Sequence, residues 1–317
     1  MSITLAQARE LSQNKLTNFV IDEFRKSALL ETLPFDNTVK PQGGVTLAYS
    51  YNRVTTLPTA STRALNNEFV AQEAVTTQYT VNLKILGGSF ELDRVIINDE
   101  KQVVDHVRFQ LEQKIQATRA LFHALFINGD AGVATTEFDG LRKALTGSST
   151  EITPTAAIAL ATSANIDTNW KVFLDQLRKM RATLDGAPTL FLMNNDMFAV
   201  FQSVMDRAGI NLASKENYGN EVAVWGPSLV MAMGDKPGTA NPVIPTDGAS
   251  GETDIYAVRM ALDGVHGVSP SGNSLINTYL PNMALPGAVK TGEVEMVSAV
   301  ALKATRSAGV LHRVKIA

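Results

Sequence analysis

The strongest constraint in this chain is a long stretch with no helix breaker. From Asn98 to Gly129 no proline or glycine intervenes. Within it Val104, Val107, Leu111, Ile115, Thr118, Phe122 and Leu125 recur at the three-and-four spacing of one helical face. Asn98 suits an N-cap and Gly129 a stop. The pattern predicts one helix over about 99–128, a rod of roughly 45 Å at ~1.5 Å per residue. That is well beyond the ~11 residues usual for a globular helix. A coiled coil is the competing reading, but it wants more heptads, and Phe109, Leu121 and Phe126 widen the stripe beyond a seam. Four acidic and four basic residues balance along the rod, which does not suit a helix that reads nucleic acid.

The segment before it has a different period. Gly43-Gly44 opens a strand-like run, Val45 to Val54, followed by the aperiodic TTLPTASTRALNNE. Then Val75, Thr77, Tyr79, Val81, Leu83 and Ile85 alternate with Thr76, Gln78, Thr80, Asn82 and Lys84 until Gly87-Gly88. This predicts a long hairpin with an irregular polar tip, its second strand buried on one face. A two-stranded finger of that length is marginal alone and needs something to lie on. Ahead of it, Thr4 can cap a helix, and Leu16, Phe19, Val20, Phe24 and Ala28 follow helical spacing up to Pro34. This is either an ordinary surface helix or an arm that packs on a neighbouring subunit.

After the long helix, 146–168 reads as loop. A compact α/β pattern follows, with Trp170 to Leu184 helical and Thr189 to Met193 a buried strand. Asn194-Asn195-Asp196 caps a helix from Met197 to Ala208. Leu229 to Met233 is an apolar run among loops, and Ile255 to Leu262 a buried strand. Residues 263–287 read as irregular, and Glu293 to Val300 and Leu302 to Ile316 as closing strands. A length of 317 residues suits about two folding units or one elaborated unit.

Composition excludes several functions. The chain has no cysteine, so no disulfide scaffold, thiolate metal site or cysteine nucleophile is available. A net charge of -3 argues against a protein built to grip phosphates. No apolar run reaches the ~18 residues of a membrane span. The N-terminus lacks the basic and apolar regions of a signal peptide, so synthesis is expected to leave the chain in the cytosol. No P-loop, GxGxxG or HExxH motif occurs. His106, His123, His266 and His312 are scattered, and the first two lie about 25 Å apart on a straight helix. Ser269 in GVSPSG is no nucleophile elbow, and Asn195-Asp196 reads as a cap. The expectation is no catalytic, cofactor-binding or metal residue, and a protein that is not an enzyme.

The order of these parts resembles the major capsid protein of tailed double-stranded-DNA phages, the Hong Kong 97-type fold. The resemblance covers essentially the whole chain. It implies an α+β fold with an N-terminal arm at 1–43 and an E-loop hairpin at 44–86. A peripheral domain would take 87–164, with its spine helix at 99–128, and an axial α/β domain 165–285. Residues 286–317 would return to the peripheral domain. Asp139-Gly140-Leu141 matches the turn after the spine helix, and PTLFLMNNDMFAVFQ is similar to the axial strand and capped helix.

The resemblance further implies self-assembly as pentamers and hexamers into an icosahedral shell. That shell would enclose a phage genome, its near-neutral inner wall meeting the packaged DNA without sequence specificity and letting it slide rather than stick. The protein would sit in the virion, assembled in the host bacterial cytoplasm, with no membrane and no cofactor. Portal protein, and possible decoration protein, would be its partners. Only about 40 residues precede the finger, so a separate scaffolding protein is expected rather than a large fused one. One branch of the family links subunits through an E-loop lysine. No lysine lies between Lys40 and Lys84 here, and a guanidinium cannot serve as that nucleophile, so a non-covalent shell is expected. Candidate assembly contacts are Arg53, Arg63, Glu68 and Glu73 on the finger and Phe19 and Phe24 on the arm. Two alternatives stand beside this reading: the shell of an encapsulin nanocompartment, which resembles the same fold, and a soluble α/β enzyme.

Overall fold

The computed structural model of the chain describes residues 28–39, 46–94, 103–217, 220–270 and 275–317. The arm positions Phe19 and Phe24, with Thr4, Leu16 and Val20, lie outside these residues, as do the expected Asn98 cap and the Gly43-Gly44 opening. In chain order the elements begin with α1 (Ala28–Thr32), β1 (Phe35–Asn37), β2 (Ala48–Thr56), β3 (Val75–Asn82) and β4 (Lys84–Asp93). The long helix α2 (Val103–Asn128) leads to α3 (Leu141–Leu145), β5 (Glu151–Ile152), β6 (Ile158–Ala159) and α4 (Ser163–Thr183). Then come β7 (Leu190–Met193), α5 (Asn195–Arg207), β8 (Ala213–Asn217), β9 (Asn220–Trp225) and β10 (Ser228–Ala232). The chain closes with β11 (Glu252–Val258), β12 (Val265–Ser269), β13 (Ile276–Tyr279), β14 (Val289–Leu302) and β15 (Ala308–Lys315).

The apolar stripe of α2 faces a sheet, as its width requires. Leu111, Ile115, Thr118, Phe122 and Leu125 are buried, and so is Phe126. Phe109, read as part of the stripe, is 53% exposed and stands on the outer face. The helix lies on β4 and β14, with Leu86, Phe90, Val294 and Met296 in the shared core. Phe122 centres an aromatic cluster, 6.3 Å from Phe35 and 6.0 Å from Phe138 between ring centres. At the helix end the chain crosses itself. Gly129 donates to Leu125 O at 2.9 Å, and Gly140 donates to Gly129 O at 2.8 Å. A Cβ on Gly129 would stand 2.2 Å from Phe138 O, and one on Gly140 would stand 2.5 Å from Leu125 O. Only residues without a side chain allow this crossing, which is why the turn after the helix carries glycines.

Two sheets flank this helix. The five-stranded sheet runs β1-β12-β14-β13, with β4 also paired to β14. Strand β14 is its spine, pairing antiparallel with β4 from Val289↔Asp93 to Ser298↔Lys84 on one edge and with β13 and β12 on the other. The larger sheet runs β5-β15-β11-β7-β10-β9-β8, with β6 also on β15. Its strand β7 is LFLM and buried at all four positions, the continuous apolar run expected of a strand covered on both faces. Phe191 and Met193 meet α4 and α5 through Phe173, Leu177, Met180 and Phe201. Leu190 and Leu192 face the core that holds Phe126 and Phe138. Asn194 caps α5: its Oδ1 accepts from Met197 N at 2.7 Å, and its Nδ2 donates to Thr246 Oγ1 at 2.9 Å.

Four sequence readings are corrected. The alternation begun at Val75 does not run to Ile85 in one phase. It breaks at Leu83, where Leu83 and Leu86 are buried and Ile85 is 65% exposed. Nor does Gly87-Gly88 end the strand, because β4 continues through both glycines to Asp93. Helix α4 starts at Ser163, where Thr162 Oγ1 accepts from Asn165 N at 3.2 Å, so the end of the 146–168 loop is helical. Residues 263–287, read as irregular, contain the short strands β12, which pairs with β1 and β14, and β13, which pairs with the next strand β14. Of the closing strands, β14 lies in the sheet under the long helix, whereas β15 pairs within the larger sheet.

Candidate assembly surface

Among the described residues strands β2 and β3 pair only with each other, from Ala48↔Asn82 to Thr56↔Val75, and form a hairpin that projects from the body. Its base is seated by every second residue of β2. Tyr49 donates its hydroxyl to Asp36 Oδ2 at 2.6 Å. Tyr51 donates to Leu302 O at 2.8 Å. Arg53 donates from Nε to Lys303 O at 3.0 Å and from Nη2 to Leu302 O, while its guanidinium lies 4.5 Å from the Tyr79 ring centre. The period of two puts Tyr49, Tyr51 and Arg53 on one face, toward the end of β14. Burial raises the Tyr49 hydroxyl above the ordinary tyrosine range, and the bond to Asp36 adds to this. Burial would also raise the Asp36 carboxyl, yet the Tyr49 hydroxyl, the Asn37 N–H and Lys303 outweigh it and hold it below the usual carboxylate range. Under the seat lies His266, with its ring edge-on to Tyr49 at 5.6 Å between centres.

Beyond Arg53 the hairpin's hydrogen bonds among the described residues lie within the hairpin itself. Ser50 and Thr80 hydroxyls meet at 2.9 Å, Thr55 and Thr77 at 2.7 Å, and Thr59 N donates to Gln72 Oε1 at 3.0 Å. Leu57, Leu65, Phe69, Val70 and Val75 are all exposed. So many large apolar groups on one projection are what a surface looks like before its partner arrives.

Of the candidate contact residues, Arg53 is committed within the chain. Arg63 sits at the tip, donating to Asn67 O at 3.1 Å with its guanidinium 5.3 Å from the Phe69 ring. Glu68 and Glu73 are exposed on the tip and make no ion pair among the described residues. The apolar residues of the tip were the stronger signal: TTLPTASTRALNNEFV holds Leu57, Leu65, Phe69 and Val70 without a period that would bury them.

Elsewhere, the best candidate for chemistry is His312 on β15. Its Nδ1 meets Asp254 Oδ1 at 2.7 Å and its Nε2 meets Glu151 Oε1 at 3.2 Å. The bond to Asp254 raises the imidazole above its ordinary value, and Glu151 adds to this against partial burial. A catalytic base keeps one ring nitrogen for its substrate, whereas both are occupied here. A cleft of about 570 Å³ opens beside it, lined by Arg142, Asp247, Glu252 and Arg313. His123 is buried on α2, and burial, with Arg119, pushes it down to about 3. Among the described residues no cluster of three or more His, Asp or Glu is placed to hold a metal ion, and no helix is long and apolar enough to cross a membrane.

By sequence, no protein-family model and no curated protein matches the chain. Solved structures do match its fold. An encapsulin from the holo-SrpI complex of Synechococcus elongatus PCC 7942 is 16% identical, with a TM-score of 0.62 over 91% of this chain and 87% of that one. The capsid of a native GTA particle is 11% identical, with a TM-score of 0.57 over 91% and 90%. The capsid of Myoviridae phage XM1 is 9% identical, with a TM-score of 0.55 over 90% of both chains. With a seated hairpin, a long helix across one sheet and a second sheet backed by two helices, this chain has the α+β Hong Kong 97-type fold.

Proposed function

We propose that this chain is the major capsid protein of a tailed phage. It assembles as pentamers and hexamers into an icosahedral shell around double-stranded DNA and has no catalytic role. The observation that carries this reading is the hairpin, whose base is pinned to its own subunit while its apolar tip is bare. Burying that tip requires a second molecule, and a neighbouring copy is the partner always present during assembly. Glu68, Glu73 and Arg63 would rim that contact, and the arm with Phe19 and Phe24 would add a second one. Affinity then comes from many modest contacts acting together. A portal protein, a separate scaffolding protein and a possible decoration protein complete the set of partners, and assembly takes place in the host cytoplasm. With no lysine from 41 to 83, the shell is non-covalent, so denatured particles should run as a single-subunit band rather than a ladder.

A second reading is favoured by the likeness to an encapsulin at a TM-score of 0.62. An encapsulin-type shell would enclose a protein cargo rather than DNA. Electron microscopy with sedimentation of the purified chain tests the common part: closed shells, pentamers or hexamers support it, and a small oligomer at all concentrations, with scaffold added, refutes it. The ultraviolet spectrum of shells purified from the native source separates the two readings, nucleic-acid absorbance marking a capsid and a protein-only spectrum an encapsulin.

A further inference from the structure

His266 occupies an awkward place. It lies in β12 opposite Ala301 of β14, beneath the hairpin base, and its side chain is 0% exposed. Among the described residues neither ring nitrogen makes a hydrogen bond of good geometry, although the Gly264 backbone acts on the ring. Most buried polar groups find one, so two idle nitrogens on one buried ring call for a reason. Four titratable groups face the ring: Asp36 next to β1's end, Lys303 just past β14, Asp263 in the turn before β12, and Tyr49 on β2. Asp36 is already engaged, accepting the Tyr49 hydroxyl at 2.6 Å and lying 3.8 Å from Lys303 Nζ. Of the two carboxylates that act on the ring, Asp36 is the one that also holds the hairpin down.

We propose that His266 is an acid-sensitive latch for the hairpin: the neutral ring is the floor of the seat, and protonation lifts the hairpin base off it. An imidazolium carries two donors, of which the Gly264 backbone can take one, so the other must find an acceptor or water. If it takes Asp36, the Tyr49 anchor is lost; if it takes water, the hairpin must rise to admit it. Lys303, whose ammonium lies 5.2 Å from the Tyr49 ring centre, repels the new charge in the closed seat. The anchors of Tyr51 and Arg53 end on backbone carbonyls, and Asp263 is held by Arg259 at 3.1 Å, which leaves Asp36 as the carboxylate tied to the hairpin.

The sign follows from the neutral form being favoured in the seat. Burial, with Lys303, holds His266 down to about 4, against an ordinary value of 6.5, while Asp36, the Gly264 backbone and Asp263 oppose the shift. Above about 6.5 the ring is neutral whether or not the hairpin is seated, and acid costs nothing. As pH falls from there toward 4 the seated state loses ground. Below both values the seating equilibrium is weakened on the order of a hundredfold.

The test uses the full chain, whose lack of cysteine lets two introduced ones carry spin labels. Gln78→Cys on the outer face of the hairpin and Thr136→Cys on the body report their separation, with labelled chain diluted into unlabelled chain so that pairs stay within one subunit. Between pH 7.5 and 4.5 the distance distribution should lengthen and broaden, and it should return on neutralisation. In His266→Phe and His266→Gln, checked for fold by circular dichroism, it should stay as at pH 7.5; one folded variant suffices. A distance that does not move in the parent, or that moves equally in a folded variant, overturns the latch. Because the readout lies within one subunit, it stands or falls independently of whether shells form.

Discussion

Replacing Leu65 and Val70 with serine tests the hairpin tip directly. These side chains are 88% and 79% exposed, so in the lone subunit they have no partner to lose. The unfolding free energy should stay within about 0.5 kcal/mol of the parent, as for other surface changes. Assembly should behave differently. Burying a leucine or valine side chain contributes ~1.5–3 kcal/mol, and incomplete burial at an interface takes the lower part of that range. The two together therefore contribute about 3 kcal/mol per subunit, and at ~1.4 kcal/mol per tenfold the threshold concentration for assembly should rise roughly a hundredfold. Sedimentation velocity across a dilution series gives that threshold, and thermal melts of unassembled subunit give the stability. An unchanged threshold would refute burial of the tip on a neighbour. A threshold that rises only because the subunit melts earlier would show that the tip supports its own chain instead.

Three further outcomes follow from single sites. Asn194→Ala strips the α5 cap and the Nδ2 bonds to Ile244 O, Thr246 Oγ1 and Thr253 Oγ1 at 3.3, 2.9 and 3.1 Å, and should cost about 2–4 kcal/mol in urea unfolding; a loss below about 1 kcal/mol would contradict the network. His312→Gln should destabilise the subunit most in acid. A raised folded value gives stability that is full below the ordinary value of 6.5 and fades as pH climbs through the raised one, so the parent–variant gap in unfolding free energy should shrink between pH 5.5 and 9. A gap that widens would reverse the assignment. Gly87→Ala should abolish soluble expression, because its Cβ would stand 2.0 Å from Val294 O, whereas Gly88→Ala would meet only the Lys114 side chain at 3.4 Å and should fold; equal yields would refute that close pairing.

What the sequence disclosed depended on whether its signal was local. The 26-residue helix α2 was legible because no breaker interrupts it and its stripe is continuous. Asn194 was legible because capping is a three-residue event. Strands β12 and β13, of five and four residues, were not, since β12 pairs with distant β1 and the far end of β14, and β13 with β14 across an aperiodic connection. The phase change at Leu83 was hidden for a related reason. β3 is exposed and pairs within the hairpin, β4 lies on a core, and one alternation passes through both with no residue type to mark the handover. Of the site, the finger was legible and its seat was not. The acceptors for Tyr51 and Arg53 are backbone carbonyls of Leu302 and Lys303, about 250 positions away, and every residue has a carbonyl.

That seat changes the meaning of Arg53. A charged side chain on a finger invites an ion pair with a neighbour, but exposed pairs contribute only ~0–1 kcal/mol. Here the guanidinium places two donors on two consecutive carbonyls and its face on Tyr79. A lysine could not reproduce that planar fork. The residue thus fixes the direction of the hairpin before any neighbour arrives. A two-stranded ribbon free to swing would lose that freedom on association and weaken the contact accordingly. Anchored at Tyr49, Tyr51 and Arg53, it presents its apolar tip at a set angle, so little further ordering is needed on binding. The same economy explains why the latch belongs at the base. Loosening three anchors there changes the aim of the whole hairpin, whereas a titrating group at the tip would alter only one contact.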